Sequence, residues 1–285
     1  MGVTKKVIGL VSGLVLAVVL VFLASQTLQG KSASKTDGPK TEVVAATGGS
    51  PKPFSFVEKG QLTGHNIELL QAIFEKLPQY KLKIVKTEFP SIFSGLTSGR
   101  YQIGVNNFAK NAEREKNYLF SDPIFKNSYV VIFKKDSQLA KSANSWADLA
   151  GLSTVGSAGV NSTTAIESYN KAHTDKPIQL NYSQEDLKAQ LEGVASGKYD
   201  FLVMDKPMFE YYQKEYQMDL VGKEVSGDLE SELLAEPYSY LIFAKGESQL
   251  QKDVNKALKE VIADGTSKKI NEKYFGADYS PSLKG

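Results

Sequence analysis

Of the 34 basic residues in this 285-residue chain, only Arg100 and Arg114 are arginines. A planar, two-point grip on a carboxylate therefore falls to one of these two, because a lysine offers only a point charge. Arg114 stands in KNAEREKNYLFSDP (110–123), just after a strand-like run at 101–105 and the polar pair Asn106-Asn107. The C-terminal edges of strands are where α/β sheets hold ligands, so its fork is placed to take a carboxylate. The competing reading is a surface arginine paired with Glu113 or Glu115. Asp205 follows the apolar run FLVM (201–204) and precedes Lys206-Pro207. A carboxylate there accepts from an ammonium or caps a turn. One cation and one anion contributed by different parts of the chain would match a zwitterion between them.

Other residues carry weaker signals. Phe54, Phe56 and Phe89 lie in loops or near strand ends, where they either sandwich an apolar ligand portion or fill the core. The loop SAGVNST (157–163), with Gly159, Asn161, Ser162 and Thr163, precedes a helix whose first N–H groups can receive a carboxylate. No G-K-[ST] follows it, so phosphate and nucleotide ligands are not supported.

The same inventory excludes much chemistry. Cysteine is absent, which removes disulfides, thiolate metal sites, iron–sulfur clusters and cysteine nucleophiles. The two histidines, His65 and His173, share no metal-binding spacing, so neither a metal nor a cofactor is expected. No G-x-S-x-G elbow or S-x-x-K set occurs, and the reading is a binding protein rather than an enzyme. A net charge of +2 without a long basic run argues against nucleic acid.

The elements that must position these residues begin after an export-like leader. Lys5 and Lys6 precede an uncharged apolar run at 7–24, so residues 1–30 read as a signal peptide or an N-terminal membrane anchor. Residues 31–40 (KSASKTDGPK) read as a tether. The folded part is expected from Thr41. Strands at 41–47, 82–85 and 101–105 alternate with helices at 66–77 and 92–96, the pattern of an α/β sheet. A second α/β stretch has strands at 152–156 and 201–204 with helices at 163–171 and 186–196. The strands ending in Ile132-Phe133-Lys134-Lys135 and Ile242-Phe243-Ala244-Lys245 share I-F-x-K 110 positions apart, each followed by Ser-Gln-Leu. Two equivalent strand exits suggest a chain that leaves one lobe, builds another and returns. The expected division is 41–133 and 243–285 for lobe 1 and 134–242 for lobe 2.

Taken together, GVNNFAKNAEREKNYLFSDP (104–123), PFSF, GHNIELL, IFSGLTSGRYQIG and KYDFLVMDKP resemble the bacterial extracellular solute-binding proteins of family 3, over roughly residues 41–275. GVNNFAKNAEREK is most similar to the cystine-binding branch of that family. The resemblance implies an α/β, two-lobed periplasmic-binding-protein fold of type II, with two crossover strands at the hinge. It implies an amino-acid receptor of an ABC importer, a monomer working with a membrane permease complex at the extracellular face of the cytoplasmic membrane. The family's carboxylate-binding arginine matches Arg114 and its ammonium-binding acid matches Asp205. Its cleft aromatic matches Phe89, its first-lobe backbone contacts match Asn107 to Ala109, and its second-lobe loop matches Gly159 to Thr163. Ala109 and Val160 stand where the family commonly has threonine, which shifts the expected ligand away from glutamine, histidine or arginine. Lys, Asn and Gln residues near Asn106, Asn161 and Lys206 are available as polar partners for the far half of cystine. The rivals are a receptor for another polar amino acid, an anchored sensory or adhesive surface protein, and an enzyme on the same scaffold.

Overall fold

A computed structural model of the chain describes residues 39–233 and 237–282. The leader and most of the tether lie outside the described residues. Among the described residues no helix is long and apolar enough to cross a membrane.

Two sheets organise the fold. In chain order the elements of the first half are β1 (Thr41–Thr47), β2 (Phe56–Glu58), β3 (Gln61–Thr63), α1 (His65–Glu75), β4 (Tyr80–Lys86), α2 (Phe89–Thr97), β5 (Ile103–Phe108), α3 (Ala112–Asn117), β6 (Leu119–Phe120) and β7 (Phe125–Lys126). There follow β8 (Tyr129–Lys134), α4 (Leu139–Ser142), α5 (Trp146–Leu149), β9 (Ser153–Gly156), α6 (Asn161–Ala172), β10 (Gln179–Tyr182), α7 (Leu187–Ser196), β11 (Leu202–Asp205), α8 (Lys206–Tyr216), β12 (Leu220–Glu224), α9 (Gly227–Leu233), β13 (Tyr238–Phe243), α10 (Ser248–Ala263) and α11 (Thr266–Phe275).

The first sheet runs β4-β1-β5-β13-β6, with β7 also pairing β13. Its β4-β1-β5 part is parallel, and β13 enters antiparallel to β5, β6 and β7. Apolar side chains of α1 and α10 cover one face. In α10 the buried set Leu250, Val254, Ala257, Leu258 and Val261 follows the helical period and seats that stripe on the sheet. The other face takes Ile92 and Leu96 of α2 against Ala46, Phe108 and Ile242. The second sheet is antiparallel, β11-β8-β12, and the parallel pair β9-β10 is linked to it by a Thr154–Phe201 bridge. The two lobes share one continuous core, in which Phe125, Val130 and Ile132 run from one sheet toward Leu191, Met204 and Phe209.

The strand exits behave differently from the expectation. β8 pairs wholly with β11 and β12, and β13 wholly with β5, β6 and β7. The I-F-x-K motifs thus end an inner strand of each sheet, β8 in one and β13 in the other, while the crossings lie at the opposite, N-terminal ends of those strands. There the Asn127 N–H donates to the Pro237 carbonyl at 2.8 Å, tying the two crossing segments together. A local pattern marks where a strand stops but not which sheet recruits it.

Gly64, with φ 120°, lets His65 and Asn66 donate their N–H groups to Pro53 and Phe54 at the head of α1. A Cβ there would meet the Phe54 carbonyl oxygen at 2.6 Å. The His65 ring is fully buried among Phe54, Phe125 and Phe275, and its Nδ1 bonds Asn66 Oδ1 at 2.8 Å. Burial pulls its pKa from the ordinary 6.5 to about 4, outweighing the hydrogen bonds from Asn66 and Asn271. The folded state then binds fewer protons than the unfolded chain between those values, so His65 removes up to about 3 kcal/mol of stability as the pH falls through that window. His65→Phe is expected to flatten this part of the slope when urea unfolding is compared at about pH 7 and about pH 4. An unchanged slope would show that the ring is not the group responsible.

Candidate functional site: a clamp between the lobes

The C-terminal end of β5 builds one wall. The strand runs on to Phe108, so Asn106 and Asn107 belong to it rather than following it. Asn106 is consumed locally: its Oδ1 accepts from the Thr47 hydroxyl and the Gly48 N–H, and its Nδ2 donates to the Ser50 carbonyl. Beyond the strand, Asn111 caps α3 by accepting from the Arg114 N–H at 2.9 Å, and this orients the arginine back toward the strand end.

The Arg114 side chain is not a surface group. The residue is 6% exposed, with Nη1 donating to the Ala109 carbonyl at 2.9 Å and Nη2 to the Gly159 carbonyl at 2.8 Å. Its guanidinium carbon lies 5.4 Å from the Phe93 ring centroid and 5.6 Å from that of Phe108. Phe89 stacks on Phe108 at 5.8 Å. Burial lowers the guanidinium's pKa, with Tyr129, Glu113 and Tyr118 acting the other way. Among the described residues no carboxylate lies within ion-pair distance of it, so the pairing with Glu113 or Glu115 is not formed. A buried cation with carbonyl partners but no counter-ion is short of an anion.

The second lobe brings the opposite charge. Asp205 ends β11 and heads α8, but its side chain makes no cap bond, so the turn-capping reading does not apply. Its Oδ1 instead accepts from Asn107 Nδ2 at 2.7 Å and from Asn127 Nδ2. Burial pushes its pKa from 3.8 up to about 6, against the lowering effect of the Asn127 and Asn107 bonds. Tyr129, opposite Asp205 in the β8–β11 register, is 5% exposed and lies in the field of both charged groups. Burial and Asp205 push its hydroxyl well above the ordinary phenol range, while a bond to Asn161 and the charge of Arg114 pull the other way.

The loop before α6 completes the clamp. Gly159 adopts φ +79° and presents its carbonyl to Arg114, and a Cβ there would lie 3.8 Å from the Phe89 ring. Asn161 donates to the Leu233 carbonyl and accepts from Asn111 Nδ2 at 3.4 Å. Ser162 and Thr163, both buried, follow it in the first turn of α6. The leading N–H groups of a helix have no intrahelical partner and are ready for an anion. Bonds that reach between the lobes at this site include Arg114 to Gly159, Asn107 to Asp205 and Asn111 to Asn161.

The structure therefore brings Phe89, Asn107, Ala109, Arg114, Gly159, Asn161 and Asp205 into one connected network. Phe54 departs from it: its ring is fully buried against His65, Phe125 and Phe275 and serves the core, because the turn before β2 folds it inward. Lys206 is engaged by Glu224 and Glu210, and Asn106 is committed to the loop after β1. Phe93, Phe108, Asn111, Asn127 and Tyr129 were not singled out in the sequence.

Two lobes are joined by paired crossings, one carrying a buried guanidinium and the other a buried carboxylate. The chain belongs to the bacterial extracellular solute-binding proteins, family 3, which its residues 43–277 match. It is an amino-acid solute-binding protein of an ABC importer. It is 30% identical over 250 residues to the L-cystine-binding protein TcyJ of Bacillus subtilis (strain 168), covering 87% of this chain and 89% of that protein. A solved structure from work on glutathione import in Gram-positive bacteria via GshT and the cystine ABC importer TcyBC of Streptococcus mutans is 38% identical, with a TM-score of 0.77, covering 86% of this chain and 98% of that one. A putative L-cystine ABC transporter structure from Listeria monocytogenes is 28% identical, with a TM-score of 0.73, covering 85% of this chain and 98% of that one.

Proposed function

We propose that this protein captures L-cystine at the outer face of the membrane and delivers it to an ABC permease complex. The observation that carries the reading is the pair of buried, oppositely charged groups, Arg114 without a carboxylate partner and Asp205 held by amides, with Tyr129 in the field of both. In this reading Arg114, the Gly159 to Thr163 loop and the start of α6 take the α-carboxylate, Asp205 takes the α-ammonium, and Phe89 walls the side chain. Each charge discriminates, since a ligand lacking either end would strand one buried ion. The lobes rotate about the crossings at Asn127-Ser128 and Pro237, which supports a division into 41–127 with 238–282 and 129–233.

A second reading is glutathione. The 38% identical structure comes from work on glutathione import. The γ-glutamyl end of that peptide carries the same free α-amino and α-carboxylate head that one half of cystine does, so the clamp would grip either.

Isothermal titration of the purified protein with L-cystine, reduced and oxidised glutathione, glutamine and arginine separates these ligands. Cystine is expected to bind most tightly. Tight glutathione binding without cystine heat would transfer the assignment to the peptide, and tight glutamine or arginine binding would reject both.

A further inference from the structure

The carboxylate assigned to the ligand's amino group is held from two directions. Asn107 donates to it from the end of β5, across the lobes. Asn127 donates to the same oxygen from the crossing segment after β7. Asn127 is 3% exposed, and its backbone N–H, Oδ1 and Nδ2 are each hydrogen-bonded. Its backbone N–H reaches Pro237 in the other crossing, and its Oδ1 accepts from the Ser128 N–H at 2.9 Å. The Ser128 carbonyl in turn accepts from the Lys206 N–H at 2.8 Å, on the residue that follows Asp205. The residue at which the crossings are pinned is therefore also the residue that holds Asp205.

We propose that Asn127 is a positioning residue for the amino-group end of the ligand, fixing Oδ1 of Asp205 from the crossing strand so that the carboxylate's remaining acceptor sites are presented to an ammonium. A carboxylate offers about four lone-pair sites, and the two amides take only part of that capacity. On opening, the bond from Asn107 is broken by the separation of the lobes, whereas Asn127 belongs to the crossing and keeps its hold. Asn127 then supplies the constant donor that favours the charged carboxylate in a site whose burial disfavours it. The other charged or titratable groups around Asp205 are Tyr129 in β8, Lys206, which is committed to Glu224 and Glu210, and Arg114, whose charge reaches Tyr129.

This inference rests on the amino-acid reading of the site, so the first measurement needs no ligand. The Asp205 side-chain carboxyl carbon, assigned by its loss in Asp205→Asn, is followed by NMR from about pH 4 to about pH 8 in wild type, Asn127→Ala and Asn127→Asp. Thermal melts confirm that each variant is folded. Asn127→Ala is expected to raise the Asp205 midpoint by about one unit, because one hydrogen bond to the charged form is gone. Asn127→Asp keeps the shape and the bond from Ser128 but replaces the donor with a second carboxylate, and should raise the midpoint further. With L-cystine as probe, Asn127→Ala should lose about fivefold in affinity at about pH 6 and recover most of it at about pH 8, where Asp205 is largely ionised in both. A midpoint that stays within about 0.3 unit of wild type in both variants overturns the proposal, as does an affinity loss equal at both pH values. If the midpoint moves but wild-type protein gives no heat with cystine, the role of Asn127 in holding Asp205 stands and the cystine assignment falls.

Discussion

Arg114→Ala is expected to abolish binding of any α-amino acid while leaving the fold intact. Removing one member of a buried charge pair costs about 2–5 kcal/mol in affinity, a loss of roughly 30-fold to 4,000-fold. The stability cost should be small, because two opposing effects nearly cancel. The variant leaves the Ala109 and Gly159 carbonyls without their donor, but it also removes a desolvated cation for which the described residues supply no counter-ion. A change in unfolding free energy within about 1 kcal/mol is expected. Arg114→Lys should rescue only part of the affinity, since an ammonium on a flexible stem cannot make the two parallel bonds of the fork. Titration calorimetry on the two variants, with urea melts alongside, checks both halves. Affinity retained in Arg114→Ala would place the carboxylate grip elsewhere.

Asp205→Asn should separate binding from stability in opposite directions. The ammonium partner is lost, so affinity falls by about 2–5 kcal/mol. The protein without added ligand should nevertheless become more stable at neutral pH. Burial raises the Asp205 pKa from 3.8 to about 6, so the folded state holds a proton more readily than the unfolded chain. Stability from this group is therefore present at low pH and lost as the pH rises from about 3.8 to about 6, amounting to about 3 kcal/mol at pH 7. The asparagine escapes that penalty. Its advantage in urea unfolding is expected near pH 7 and should vanish near pH 4, and an advantage equal at both would rule out the carboxylate as its source. His65 titrates with the opposite sign in an overlapping window, so the wild-type curve alone conceals both groups. Only the difference between variant and wild type isolates Asp205.

Ligand binding is expected to follow the opposite trend with pH. An ammonium binds the ionised carboxylate, so wild-type affinity should weaken by roughly tenfold for each pH unit below about 6. Amino-acid capture then works best near neutral pH, where the empty receptor carries the cost of the charged aspartate and the ligand offsets it.

The positions of the two charged candidates were legible in the sequence, as their burial and partners were not. The scarcity of arginine directed attention to Arg114, and the position of Asp205 after an apolar run placed it at a strand end, where β11 does finish. The alternation of strands and helices also appeared as read, with α1 and α7 within a few residues of their expected spans. Phe54 and Phe89 show the limit. Both are phenylalanines beside a proline near a turn, and nothing local distinguishes the one that packs against His65 from the one that stacks on Phe108 in the cleft wall.

Chain-local chemistry was enough to set the element types, the strand ends and the two charged candidates, because helix period, β-propensity and turn residues act over a few neighbouring positions. Tertiary structure alone decided that Arg114 meets Gly159, 45 residues away, that Asp205 meets Asn107, 98 away, and that Asn127 ties the crossings to the anion. Those partners are chosen by how two sheets pack and close on each other, and the burial that shifts Asp205 and His65 exists only once that packing has excluded water.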